Sequence, residues 1–196
     1  GEPSEPAAPR TKVFHYTVSE TAGSAPGYTY DGHSETVTVT VTDNGDGTLA
    51  TSVAYDGDGA VFNNTYEASG SATISAEKVL EGRDLDAGQF EFGLFEGDVQ
   101  VGDPVTNDAD GTVAFEVPYR VDAGKNDVGT HAYTVRELGT APTGYTYDSS
   151  VKEVTVAVTD NGDGTLATSV TYGEDMTFTN TYKPLPTDVV LEAEKV

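Results

Sequence analysis

The sequence predicts an all-β fold: an Ig-like β-sandwich repeated in tandem, with one complete copy, one partial copy and the first strand of a third. Three observations carry this. Thr and Val alternate over long stretches, the pattern of half-buried strands. Glycine is abundant, at 22 residues, and clusters at turn-like sites. No segment shows a convincing 3.6-residue period.

The tandem organisation comes from an internal repeat. VTDNGDGTLATSV occurs unchanged at Val41–Val53 and Val158–Val170, an offset of 117 residues (158 − 41). Around it YTVSE (Tyr16–Glu20) matches YTVRE (Tyr133–Glu137), and APGYTYD (Ala25–Asp31) matches PTGYTYD (Pro142–Asp148). FNNTY (Phe62–Tyr66) matches FTNTY (Phe178–Tyr182) after the loss of one residue. A period this long denotes an array of domains, not a solenoid. The expected boundaries are 1–66 for the later half of a first repeat, including a polar run over 1–11. A complete repeat over 67–182 follows, then a linker and first strand over 183–196. In that tail VLEAEKV (Val190–Val196) resembles TISAEKV (Thr73–Val79).

Seven strands are expected in the complete repeat. They are Thr73–Leu80, Gln89–Phe95, Gly111–Val117, Thr130–Glu137, Glu153–Thr159, Thr165–Tyr172 and Met176–Tyr182. Asp160–Gly164, DNGDG, reads as a hairpin turn, because Asn-Gly and Asp-Gly accept positive φ.

Composition narrows the function. The net charge is −23, with 33 acidic against 10 basic residues. Such a polyanion repels nucleic acid and anionic lipid, so neither is an expected partner. There is no cysteine, so an extracellular β-protein of this kind needs a brace other than a disulfide. No run of 18 apolar residues is present and no signal peptide is visible. DNGDG at Asp43–Gly47 and Asp160–Gly164 lacks the further ligands and terminal Glu of a calcium loop. His15, His33 and His131 have no metal-ligand or nucleophile spacing. LPTD (Leu185–Asp188) is not a complete sorting signal. No metal, no cofactor and no turnover enzyme are expected.

The chemistry lies on the strand faces. Alternation places Ile74, Ala76, Lys78 and Leu80 together, then Tyr133, Val135 and Glu137, then Met176, Phe178, Asn180 and Tyr182. Each apolar face therefore holds one polar group: an amine, a carboxyl, a carboxamide. Burying any of them alone costs several kcal/mol or more. Buried together they can react. Desolvation favours a neutral Lys78 nucleophile and a protonated Glu137. Glu137 would polarise the Asn180 carboxamide and shuttle protons as ammonia leaves. The product, a Lys–Asn isopeptide, is neutral.

EKVLEGRDLDAGQFEFGLFEG, TNDADGTVAF, YTVRE, YDSSVKEVTVAVTDNGDGTL and FTNTY together resemble the streptococcal pilin isopeptide-linkage domain. That family belongs to the Cna B-type, prealbumin-like repeats of Gram-positive pilins and surface adhesins. The resemblance covers 71–182. It implies that Lys78 and Asn180 are linked and that Glu137 is catalytic. In the partial copy Glu20 and Asn64 match the acid and the acceptor, and Lys195 matches the lysine of a following repeat. Asn64 and Lys195 are thus expected to be orphan partners, free to pair in trans or in cis. Lys12 does not align with the reactive lysine.

The implied function is a structural stalk or shaft repeat on the cell-wall-anchored surface of a Gram-positive bacterium, with any anchor outside this sequence. The implied partners are other copies or neighbouring repeats. The alternative is an adhesin module binding a host protein or glycan.

Overall fold

The structure is a computed structural model that describes residues 10–57 and 59–195. Most of the polar run over 1–11 lies outside the described residues, as does Val196. Every described element is a β-strand. The chain divides into two compact units between Glu67 and Ala68.

The first unit holds β1 (Arg10–Ser19), β2 (Tyr28–Thr29), β3 (Ser34–Asp43), β4 (Leu49–Tyr55) and β5 (Thr65–Tyr66). β1, β3 and β4 form one antiparallel sheet, and β2 pairs with β5.

The second unit starts with β6 (Ala68–Glu81), β7 (Glu91–Glu96), β8 (Val99–Gln100), β9 (Val105–Thr106) and β10 (Thr112–Asp122). It continues with β11 (Lys125–Asn126), β12 (Gly129–Glu137), β13 (Tyr145–Thr146), β14 (Val151–Asp160), β15 (Leu166–Tyr172) and β16 (Thr177–Tyr182). One sheet runs β11-β10-β6-β16-β13 and the other β15-β14-β12-β7-β8, with β9 also on β7. Their inner faces meet as a sandwich. Phe92 of one sheet packs on Phe178 of the other, ring centroids 5.3 Å apart. The Tyr119 and Tyr133 hydroxyls meet across the gap at 3.0 Å.

All seven expected strands are present. β6 begins earlier than expected, at Ala68, and β10 runs on through Pro118 to Asp122. Alternation along β6 is strict: Ala72, Ile74, Ala76 and Lys78 are buried while Thr73, Ser75 and Glu77 are exposed. β6 is antiparallel to β10 but parallel to β16, with Thr177–Thr181 beside Glu77–Glu81. First and last strands of the unit are therefore neighbours.

Asp160–Gly164 closes the β14–β15 hairpin. Asn161 N–H donates to Thr165 O at 3.1 Å, and the carboxylates of Asp160 and Asp163 accept from the turn's own N–H groups. Gly162 and Gly164 take φ of 74° and 83°, the left-handed region glycine tolerates without strain. The tail over 183–195 forms no strand here. A strand exists through its ladder, and this segment has none.

Candidate functional site

The buried lysine comes first. Lys78 is 2% exposed, near the end of β6. Its backbone is fixed where β10 begins, by the Lys78 N–H donating to Gly111 O at 2.7 Å. Gly111 has φ of 91°, and a Cβ there would lie 2.3 Å from Lys78 O. Position 111 therefore needs glycine both for its dihedral and for the close approach.

Lys78 Nζ donates to Glu137 Oε2 at 2.7 Å, and both side chains are sealed, at 0% and 1% exposure. The Phe90 and Phe92 rings close round the nitrogen, 4.6 and 5.9 Å from it. Burial pushes the Lys78 amine below its ordinary range, outweighing the carboxylate beside it. Burial likewise pushes the Glu137 carboxyl up, against the hydrogen bonds from Lys78 and Asn180. Both shifts favour a neutral pair, as desolvation requires.

Asn180, 0% exposed on β16, completes the centre. Its Nδ2 donates to Glu137 Oε1 at 2.6 Å, and its Oδ1 accepts the Asp148 backbone N–H at 2.7 Å. A backbone N–H only donates, so this contact fixes which end of the amide is oxygen. The structure thus brings Lys78, Glu137 and Asn180 together, but the carboxamide oxygen is polarised differently from the sequence expectation. Glu137 faces the amide nitrogen, and the donor to the oxygen is the main chain of Asp148.

Asp148 is held by its own network. Its carboxylate accepts the N–H of Ser150 at 2.9 Å and of Thr179 at 2.9 Å. Burial alone would raise this carboxyl; the hydrogen bonds from Ser150 and Thr179 prevail and hold it below its ordinary value. Asn107, 1% exposed, is a second support. Its Oδ1 accepts from Phe90 N at 2.8 Å and its Nδ2 donates to Asp86 O at 2.9 Å, pinning the loop that presses Phe90 on the lysine. Sequence reasoning missed Asp148, Asn107 and Phe90. Asp148 lies in the repeated GYTYD segment and Asn107 in TNDADG, neither of which shows a polar residue on an apolar strand face.

Chemically, one carboxyl bridges an amine and an amide nitrogen while a fixed N–H faces the amide oxygen. Such an arrangement can pass a proton between the two nitrogens and stabilise negative charge on the amide oxygen.

In the first unit Asn64 Nδ2 donates to Glu20 Oε1 at 2.7 Å and Asn64 Oδ1 accepts from Asp31 N at 2.8 Å. Lys195 is exposed in the tail, and Lys12 lies on β1. Among the described residues no three His, Asp or Glu side chains converge as metal ligands.

The fold and this centre define a β-sandwich domain with an amine, an acid and an amide buried at one point between its first and last strands. The sequence matches the FctA family, the Spy0128-like isopeptide containing domain, over residues 5–67 and 74–183. The chain belongs to this family of pilin isopeptide-linkage domains. No curated protein sequence matches it. Among solved structures it is similar to the major pilin protein (T3.2) of Streptococcus pyogenes serotype GAS13637, at 20% identity and a TM-score of 0.27. That alignment covers 86% of this chain and 65% of the pilin, so the chain spans just under two thirds of that protein's length.

Proposed function

We propose that Lys78 and Asn180 join in an autocatalytic isopeptide bond, and that the chain is a structural repeat of a pilus shaft or surface stalk. The setting would be extracellular, on the cell wall of a Gram-positive bacterium, with neighbouring copies or repeats as partners. The observation that carries the reading is Glu137 spanning the two reactants, 2.7 Å from the amine and 2.6 Å from the departing nitrogen.

In the proposed reaction the neutral Lys78 Nζ attacks Asn180 Cγ. The developing oxyanion is held by the Asp148 N–H. The protonated Glu137 gives its proton to Nδ2 and takes one from the attacking Nζ, so it ends protonated as it began. The Nζ–Cγ bond forms, the Cγ–Nδ2 bond breaks, and ammonia leaves. No outside reactant is needed, and each centre reacts once, which separates it from a turnover enzyme. Linking residues 78 and 180 closes a loop of about 100 residues, worth roughly 4–5 kcal/mol by analogy with a disulfide.

A role in binding a host protein or glycan finds less support. The exposed large apolar residues of the second unit's sandwich, Val99, Val128, Val151 and Tyr172, are single positions on different strands or loops, and scattered exposure is ordinary.

The test is intact mass with peptide mapping of the purified chain. The expected result is a mass lower by one ammonia and a branched peptide joining Lys78 to Asn180. Folded protein at full mass would overturn the proposal.

A further inference from the structure

An asparagine followed by glycine is open to attack from its own main chain, because glycine leaves the next N–H unshielded. The backbone nitrogen loses its proton and bonds to the carboxamide carbon, the Cγ–Nδ2 bond breaks, and ammonia leaves a five-membered succinimide. Water then opens the ring to aspartate or to isoaspartate, which carries an extra methylene in the main chain. The chain holds this dipeptide twice, as Asn44-Gly45 and Asn161-Gly162, each exposed at a hairpin tip.

The β14–β15 turn occupies the groups that the attack needs. The Gly162 N–H, which carries the nucleophilic nitrogen, donates to Asp160 Oδ1 at 2.8 Å. The Asn161 carboxamide is engaged at the residue that closes the turn, its Nδ2 donating to Thr165 Oγ1 at 2.9 Å. Thr165 is fixed in its turn, its N–H and its hydroxyl both donating to Asp163 Oδ1, at 3.0 and 2.5 Å. For the ring to close, the bonds to Asp160 and Thr165 must both break.

Charge acts in the same direction. On losing its proton the Gly162 nitrogen would become an anion beside the Asp160 carboxylate. A hydrogen bond to a charged acceptor stabilises the intact N–H, and a like charge disfavours the anion. The hydrogen bonds from Thr165 hold the Asp163 carboxyl below its ordinary value, so the turn keeps a second negative charge.

The β3–β4 turn repeats the network. Gly45 N–H donates to Asp43 Oδ1 at 2.9 Å, Asn44 Nδ2 to Thr48 Oγ1 at 3.0 Å, and Thr48 N–H to Asp46 Oδ1 at 2.9 Å. Both hairpins therefore tie up the same two groups.

We propose that Asn161 and Asn44 are latent deamidation sites, held unreacted by the aspartate that precedes each of them and by the threonine that closes each turn. The proposal does not depend on the Lys78–Asn180 reaction, although a nitrogen displaces ammonia from an asparagine in both. The surroundings differ. Asn180 is buried and Glu137 bridges it to its attacker, whereas Asn161 is exposed and Asp160 holds its attacker back. Isoaspartate at 161 would lengthen the backbone within the turn that sets the β14–β15 register.

The test follows residue 161 by peptide mapping of the full chain during incubation in warm, mildly alkaline buffer. The unaltered chain should retain the amide. D160A frees the Gly162 N–H and should form aspartate and isoaspartate at 161 roughly 10-fold faster or more. D160N keeps an uncharged acceptor of the same shape and should fall between the two, which decides the matter even if D160A loosens the hairpin. T165V should also quicken the reaction, by releasing the carboxamide. The Asn44 turn is untouched in these variants, so its rate should match that of the unaltered chain and serves as a reference in each digest. Equal rates at 161 in the unaltered chain, D160A and D160N would overturn the proposal. A slower reaction in D160A would overturn it too, by making Asp160 a base that promotes attack. An unchanged rate in T165V would overturn the part assigned to the threonine.

Discussion

At the residue scale, burial sets the protonation states that the proposed reaction needs. A lysine and a glutamate in water would exchange a proton and stay charged. In the second unit the pocket formed with Phe90 and Phe92 removes that option. Glu137→Ala and Glu137→Gln are expected to fold, keep the full mass and link at least roughly 100-fold more slowly, as followed by mass after synthesis. The reactive state holds one proton between the two groups, so linkage should fall at both pH extremes. In that neutral pair the acid limb is protonation of Lys78, which burial places below the ordinary lysine range, and the alkaline limb is ionisation of Glu137, which burial places above the ordinary glutamate range. A rate of ammonia loss that does not change with pH would contradict the shuttle. Lys78, Glu137 and Asn180 were legible because each is a polar residue on an otherwise apolar strand face. Asp148 was not, because it contributes a backbone N–H, which every residue but proline carries. Phe90 was not, because an aromatic beside a strand looks like ordinary core.

At the scale of elements, the site depends on β10 meeting β6 at Gly111. Gly111→Ala is expected to cost about 1–3 kcal/mol through strained φ, more with the clash on Lys78 O, and to slow linkage by moving the lysine. Gly88→Ala is the control: it shares a positive φ, 73°, but has open space around its Cβ position. Thermal unfolding should separate the two, with Gly111→Ala melting lower. All seven main strands were legible because Val and Thr alternate through them. The early residues of β6 were not, because Ser69, Gly70 and Ser71 carry no apolar signature. Gly70 is there for proximity: a Cβ would lie 2.4 Å from Leu166 O of β15. The expected strand stops at Val117, whereas β10 continues through Pro118 opposite Ser71 to Asp122. The two-residue strands β8, β9, β11 and β13 are too short to show any period.

At the scale of the whole molecule, the two units should differ in durability. The first leaves Tyr16, Leu49, Val53 and Tyr55 more than half exposed, whereas the second buries its apolar faces. Limited proteolysis should cut the first unit early and leave a fragment beginning near Ala68; equal resistance in both would contradict this. Lys78→Ala should lower the melting temperature of the second unit, since it loses the link and leaves Glu137 without its main partner. The parallel pairing of β6 and β16 has a further consequence. A pull on the two ends of this unit acts on Ala68 at the start of one strand and on Tyr182 at the end of its neighbour. With the proposed Lys78–Asn180 bond in place, the load path would run along β6 to Lys78, across one amide, and out through Asn180. Residues 79–179 lie off that path. Roughly 350 Å of contour length is withheld from extension, so a fibre of such units would transmit force as a nearly inextensible cord even where the sandwich itself had come apart.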